Sequence, residues 1–467
     1  MSKNSLKAIG EGNVKSIYDR AKKLEQLYRE DKNNITLLYG NIDSGKDSFI
    51  KNFLSDKEYF YYDARNISPK EQKKIFIKEF NDYFHINIGE CDYQELLNKI
   101  RFYPRNKMII VLDNFQNMIK DQKNFLDFIV TLYESDIFKN RVMFLLSVSG
   151  TVKVFNEKEF INHKIFKEID EKIKLSYVSF LEMVRTFPKF SVIDAVATYS
   201  IIGGAYSYIE KWDENLSTKD NVIKLLLNKD GLLRHEAERF LHQELRELSS
   251  YNTILYSIAK GNHKLNDIFK DTEFSRAKIL VYLKNLTEFD VVKKIVSFDS
   301  GGWDNAKKGI YRISNNFLNF YFTFIYPNLS KLNIMKEDKF YDKYIKDNLY
   351  DFMKQTFVKV CGEYIFLMNM MGKMPIKIEK MGTWIGKNGT IDIVCQNDIR
   401  ENVIVSCHWE DNKMQKEAYD KLILLSKEAR LKPKSVYLFS TTDFSDELKN
   451  LSKDKKNELY LIDMKEL

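Results

Sequence analysis

The spacing Gly40-Asn41-Ile42-Asp43-Ser44-Gly45-Lys46 constrains this chain more than any other feature. The apolar run of Ile35, Leu37, Leu38 and Tyr39 ahead of it reads as a buried strand, and a helix opens after Lys46. Two glycines so placed let consecutive backbone N–H groups turn inward around an oxyanion, and the lysine after the second reaches the outer phosphates of a polyphosphate. Gly40, Ser44, Gly45, Lys46, Asp47 and Ser48 are therefore the candidate nucleotide-binding residues. The position after the lysine normally carries Ser or Thr, whose hydroxyl meets magnesium, and here it is Asp47. A carboxylate is a harder and more charged ligand, so Asp47 is a candidate metal ligand. It also repels phosphate: two unit charges about 5 Å apart oppose each other by roughly 3 kcal/mol at an effective dielectric near 20. Asp43 adds to this if it points inward.

Around the loop, strands and helices alternate as in a parallel sheet. Val14, Ile17, Tyr18, Ala21, Leu24 and Leu27 recur at helical spacing between Asn13 and Arg29. Tyr59 to Asp63 reads as a strand. Ser68 caps a helix from Pro69 to Phe84, with proline at its first position. A further helix spans about Tyr93 to Phe102. Met108 to Leu112 is a strand of apolar residues ending in Asp113-Asn114-Phe115-Gln116, the form of a Walker B element whose Asp holds magnesium through water. Many such sites place a Glu next to take the proton of the attacking water, and Asn114 cannot do so. The strand Val142 to Ser147 ends in Ser147, Ser149 and Gly150, polar groups that either sense the outer phosphate or form an ordinary turn.

At 467 residues the chain is too long for one core, and two to four domains are expected. Only 6 Pro and 18 Gly argue against long linkers. A net charge of +8 permits a nucleic-acid partner without requiring one, a lysine-rich proteome being the plainer cause. Cys91, Cys361, Cys395 and Cys407 lie far apart without metal-ligand spacing, and no signal-peptide core opens the sequence, so a reduced, cytoplasmic setting is expected. The aromatic run Phe317 to Tyr326 is shorter than the ~20 residues needed to span a bilayer, so no membrane partner is expected.

Tyr251 to Ile295 reads as three short helices and a wing. Their apolar faces are Ile254/Leu255/Ile258, Leu265/Ile268/Phe269 and Ile279/Leu280/Tyr282/Leu283/Leu286. Arg276, Lys278 and Lys284 are cations available to DNA on the last helix, although such modules also serve as packing elements. Gly301, Gly302 and Trp303 mark the wing or the loop after it. From Phe352 onward the pattern is a separate α/β unit. Glu363 sits on a helix, strands run Thr390 to Val394, Val403 to Cys407 and Val436 to Ser440, and a helix runs Met414 to Ala429.

Together these motifs resemble the archaeal-type ATPase family, P-loop proteins near the AAA+ and STAND NTPases. The family's Asp-Glu-Phe-Gln is matched by Asp113-Asn114-Phe115-Gln116, and its lid Gly-Gly-x-Pro by Gly203-Gly204-Ala205-Tyr206, with Tyr206 replacing the proline. The segments Gly309 to Ile313 and Phe317 to Pro327 are similar to the family's link into its last domain. The resemblance implies an α/β fold class: a P-loop parallel-sheet ATPase domain (1–175), a helical lid (176–248), a winged helix and linker (249–330), and a C-terminal α/β restriction-endonuclease-like domain (331–467). It implies ATP or ADP with Mg2+ as ligand, held by the loop and Asp113, with Asp47 and Asp113 on the metal. For the last domain it implies a site of Glu363 and Asp392 followed by Glu-Cys-Lys-Trp, which stands here as Ser406-Cys407-His408-Trp409. Ser406 replaces a charged metal ligand and His408 a lysine, so this nuclease-like site is expected to be silent. The expected function is that of an ATP-binding regulatory protein with weak or absent hydrolysis. The alternative is a pseudo-ATPase scaffold acting through protein or nucleic-acid binding.

Overall fold

The computed structural model describes residues 17–41, 43–86, 91–99, 106–119, 123–135, 138, 140–149, 158–245, 247–298, 309–454 and 458–464. Asn13, Val14, Ile42, Phe102, Gly150, Gly301, Gly302 and Trp303 lie outside the described residues, as do the side chains of Ile17 and Tyr18. The chain divides into two compact units. One is Val14–Val178 with Ala205–Ser207, and the other includes Ser179–Gly204 and Tyr208–Leu467.

The first unit is built on five parallel strands: β1 (Asn34–Gly40), β2 (Tyr59–Asp63), β3 (Met108–Asp113), β4 (Val142–Ser149) and β5 (Glu171–Leu175), in the order β2-β3-β4-β1-β5. Parallel neighbours need crossovers, and α2 (Lys46–Leu54), α3 (Pro69–Phe84), α4 (Tyr93–Lys99) and α5 (Lys123–Glu134) supply them, with α1 (Ile17–Arg29) ahead of β1. Burial on both faces explains why β3 is apolar without alternation. Met108, Ile110 and Leu112 pack with Phe76, Phe80, Tyr93, Phe125 and Phe128, while Ile109 and Val111 pack with Leu24 and Leu27 of α1 and Phe49, Ile50 and Phe53 of α2. β2 is an edge strand, and its Tyr59, Tyr61 and Asp63 are exposed on one face.

In the second unit, the helices Leu248–Ala259, Leu265–Thr272 and Arg276–Glu288 lead into an antiparallel ribbon of β6 (Val292–Val296) and β7 (Gly309–Ile313). The segment read above as a link is thus the second strand of the wing, with Tyr311 and Ile313 buried on one side. The helix Lys346–Met370 carries Glu363 and precedes a five-stranded mixed sheet. Its strands β8 (Lys380–Ile385), β9 (Thr390–Gln396), β10 (Asn402–His408), β11 (Pro433–Ser440) and β12 (Leu459–Asp463) lie in sequential order. β8, β9 and β10 pair antiparallel, and β10, β11 and β12 parallel. Among the described residues no helix is long and apolar enough to cross a membrane.

Candidate functional site

At the carboxyl end of β1 the chain turns through Gly45, whose φ of 80° lies in the left-handed region that a side chain disfavours. A Cβ on Gly45 would stand 2.7 Å from Cβ of Tyr206, so the Tyr206 side chain rests against the loop. Gly40 is required for a different reason: a Cβ there would come within 2.3 Å of the Leu175 carbonyl at the end of β5. Lys46 opens α2 and is only 2% exposed, while Ser44 and Asp43 are each 3% exposed. The Ser44 hydroxyl is buried without a hydrogen-bond partner. Asp47 is exposed and Ser48 half-buried. A cavity of about 700 Å³ opens beside Ser44 and Gly45, walled by Ala21 of α1, Phe49 and Phe53 of α2, Leu175 and Tyr206.

Asp113, 5% exposed, ends β3 with both carboxylate oxygens engaged. Oδ1 accepts the Asn114 N–H at 2.9 Å and Oδ2 accepts the Tyr61 hydroxyl at 2.6 Å. Burial, then the Asp113 hydrogen bond and the charges of Asp113, Asp63 and Asp47, push the Tyr61 phenol far above its ordinary pKa. Asn114 adopts a left-handed conformation (φ 49°), tolerated best by Asn and Asp among residues with side chains. Its Nδ2 donates to Asp63 at 2.8 Å, and its Oδ1 accepts from Gln116 at 3.2 Å and from the Ser149 hydroxyl at 3.3 Å. The motifs name Tyr206 only as the residue in place of a proline, and they give Tyr61 and Asp63 no role. For Asp63 a signal existed, since β2, like β3, ends in an aspartate, and the two are register partners.

In the second unit, Glu363 accepts the Phe180 N–H at 3.0 Å, at the first turn of the helix Phe180–Thr186. Burial raises its pKa, opposed by Lys359 and by the backbone N–H groups of Phe180 and Leu181. Asp392 accepts the Cys407 N–H at 2.9 Å, and burial raises its pKa against that bond. Ser406 and His408 are half-buried on β10, with His408 Nε2 3.1 Å from the Asn412 carbonyl. Among the described residues no three His, Cys, Asp or Glu gather as a metal cluster. On the third helix of the winged element, Arg276 stacks on Phe269 and donates to Asn266, Lys278 lies over Phe274, and Lys284 pairs with Glu288 at 3.8 Å.

Residues 321–420 match the DUF234 family, archaea bacterial proteins of unknown function. That match, following a P-loop sheet in the sequence, supports the resemblance to archaeal-type ATPases. An uncharacterized protein of Methanocaldococcus jannaschii is 28% identical over 401 residues, 85% of this chain and 88% of its own. Among solved structures, the Walker-type ATPase of Pyrococcus abyssi is similar with a TM-score of 0.42 and 17% identity, over 68% of this chain and 97% of that one. The Aeropyrum pernix ORC2 protein, in ADPNP-ADP complexes, is similar with a TM-score of 0.39 and 12% identity, over 71% and 96%.

Proposed function

We propose that the first unit binds ATP or ADP with magnesium and that the protein is a STAND- or AAA-like regulator which hydrolyses nucleotide slowly or not at all. The cavity of about 700 Å³ beside Gly45 carries this reading. Its volume suits a nucleotide-sized ligand. Apolar walls at Ala21, Phe49, Phe53 and Leu175 suit a purine face, Tyr206 offers a ring to stack on, and the unpartnered Ser44 hydroxyl and the start of α2 suit phosphate oxygens. Lys46 would meet the outer phosphates. Asp113 and Asp47, two carboxylates, suit a hard cation that keeps much of its water, and such an ion would neutralise charge on the phosphates. Asn114 itself cannot supply the general-base contribution, of the order of 10²- to 10⁴-fold, that a carboxylate at this position makes in many such sites.

The remaining expectations join this proposal: a division at 1–175, 176–248, 249–330 and 331–467, a cytoplasmic setting, and DNA or a protein as the regulated partner. Arg276, Lys278 and Lys284 are the cations such DNA would meet. The mixed sheet is read as a nuclease-like fold without cleavage, because Glu363 and Asp392 serve backbone N–H groups and Ser406 and His408 offer no charged clamp. A pseudo-ATPase scaffold is the second reading, favoured by the Tyr61 hydroxyl on Asp113.

Calorimetric titration with ATP and ADP, with and without magnesium, tests the first reading. Binding is expected between micromolar and millimolar, with a stabilisation of ~2.7 kcal/mol at 100 times the dissociation constant. Lys46→Ala should abolish it. Absence of both heat and thermal shift up to millimolar nucleotide overturns it in favour of the scaffold.

A further inference from the structure

The side chain at position 114 is not idle, and the way its amide is oriented points to another residue. The orientation follows from one unambiguous donor. The backbone N–H of Ser149 meets Gln116 Oε1 at 3.2 Å, so the Gln116 amide must present Nε2 to Asn114. Asn114 must then present Oδ1 to Gln116 and to the Ser149 hydroxyl, and Nδ2 to Asp63. Flipping any one amide sets donor against donor or acceptor against acceptor. The relay therefore ends on a carboxylate and holds it as an acceptor. It also spans three strand ends, since Ser149 closes β4, Asn114 follows β3 and Asp63 closes β2. Ser149 is in register with Gly40 of the phosphate loop, and Asp63 with Asp113. Parallel register partners share a face at a spacing of about 4.8 Å, so Asp63 stands beside the aspartate assigned to the metal.

We propose that Asp63 takes the place of the missing acid at position 114 and acts as the general base of a slow ATP hydrolysis, with Asn114, Gln116 and Ser149 as positioning residues. This rests on the nucleotide-binding reading above. The attacking water forms its bond to the γ-phosphorus as the bond to the β–γ bridging oxygen breaks. The electron pair of that bond leaves on ADP, and the water's proton passes to Asp63. Oδ1 of Asp63 is held by Asn114, which leaves its exposed side for Oδ2 to receive the proton. A carboxylate at position 114 of this chain would face Asp63 instead of donating to it. The amide at 114 and the acid at 63 therefore belong together, as an acid and an amide exchanged between two neighbouring strands.

An exchange experiment tests this. Phosphate release and, separately, calorimetric ATP affinity are measured for the full chain and for Asp63→Asn, Asn114→Glu and the double variant Asp63→Asn/Asn114→Glu, with thermal melts to confirm folding. Asp63→Asn keeps an oxygen for Asn114 to donate to, so the fold and the affinity should stand while turnover falls by roughly 10²- to 10⁴-fold or to background. Asn114→Glu should also lose turnover, because two carboxylates then oppose each other. The double variant, with acid and amide exchanged, should recover at least about tenfold over Asp63→Asn. Tight ATP binding with turnover unaffected by Asp63→Asn, or with no turnover in the unaltered chain, overturns the role of Asp63 and leaves nucleotide binding intact. Loss of binding in the unaltered chain overturns both.

Discussion

Two regions of this protein hold acidic side chains at strand ends or beside a sheet, and they differ in what those acids face. In the parallel sheet, Asp113 and Asp63 sit at the carboxyl edge, where Lys46, Gly45 and a cavity of about 700 Å³ share the same unit. Asp113 Oδ1 accepts the backbone N–H of Asn114, but its Oδ2 and the Asp63 carboxylate are held by side chains, the Tyr61 hydroxyl and the Asn114 amide, which can move by rotating. In the mixed sheet and the helix before it, Asp392 and Glu363 accept backbone N–H groups of Cys407 and Phe180. Those bonds cannot be exchanged for a ligand without exposing a donor that has no other acceptor. The same residue type is thus available for chemistry in one place and committed to the fold in the other.

The sharpest way to break that comparison is Glu363→Ala. It removes the acceptor at the first turn of the helix Phe180–Thr186, and the second unit should lose about 3 kcal/mol, the upper range for stranding half-buried N–H groups. Thermal and urea melts measure this. A melt that does not shift would show that Glu363 is free, and would restore it as a candidate metal ligand. A smaller effect is expected from Asp392→Ala, about 1 to 2 kcal/mol, for the single bond to Cys407. Asp392→Asn keeps an acceptor oxygen and should cost much less. Neither variant should alter cleavage of plasmid, single-stranded DNA or RNA in magnesium or manganese, because the unaltered chain is expected to cut none of them. Cleavage that disappears in both variants would give Asp392 a role in chemistry and remove the contrast between the two sheets.

Much of the first unit was legible because its signals are local. The glycine spacing, the proline after Ser68 and the uninterrupted apolar β3 each fix a conformation within a few residues. β5 and β8 were not legible, since Glu-Lys-Ile-Lys-Leu and Lys-Met-Gly-Thr-Trp-Ile carry weak patterns and become strands by pairing with distant partners. β7 was misread for the same reason, as its partner β6 lies beyond a loop. In the candidate site, the loop and Asp113 could be named from spacing, but the relay through Gln116, Asn114 and Asp63 depends on register between β2 and β3, which spacing does not encode. Position 114 looked like a simple loss in the sequence. In the structure its amide has three partners, one of them an acid.

The smallest expected effect sharpens the comparison from the side of the parallel sheet. Tyr61 is 40% exposed on an edge strand, yet its hydroxyl reaches Asp113 Oδ2 at 2.6 Å. A hydrogen bond to a charged group is worth about 1.5–3 kcal/mol when made, though an exposed phenol regains much of this from water when it turns away. On the nucleotide-binding proposal, magnesium would compete with that hydroxyl for the same oxygen, whereas nucleotide without metal would not. Tyr61→Phe should therefore tighten binding of ADP with magnesium by a few-fold, about 1 kcal/mol or less, and leave binding in the presence of a chelator unchanged. The two titrations by calorimetry, with and without the metal, give the difference directly. A gain seen equally in both would mean that Tyr61 obstructs the nucleotide and not the ion. No gain in either would mean that the side chain swings aside without cost, and Asp113 would then be as open to metal as its place at the sheet edge implies.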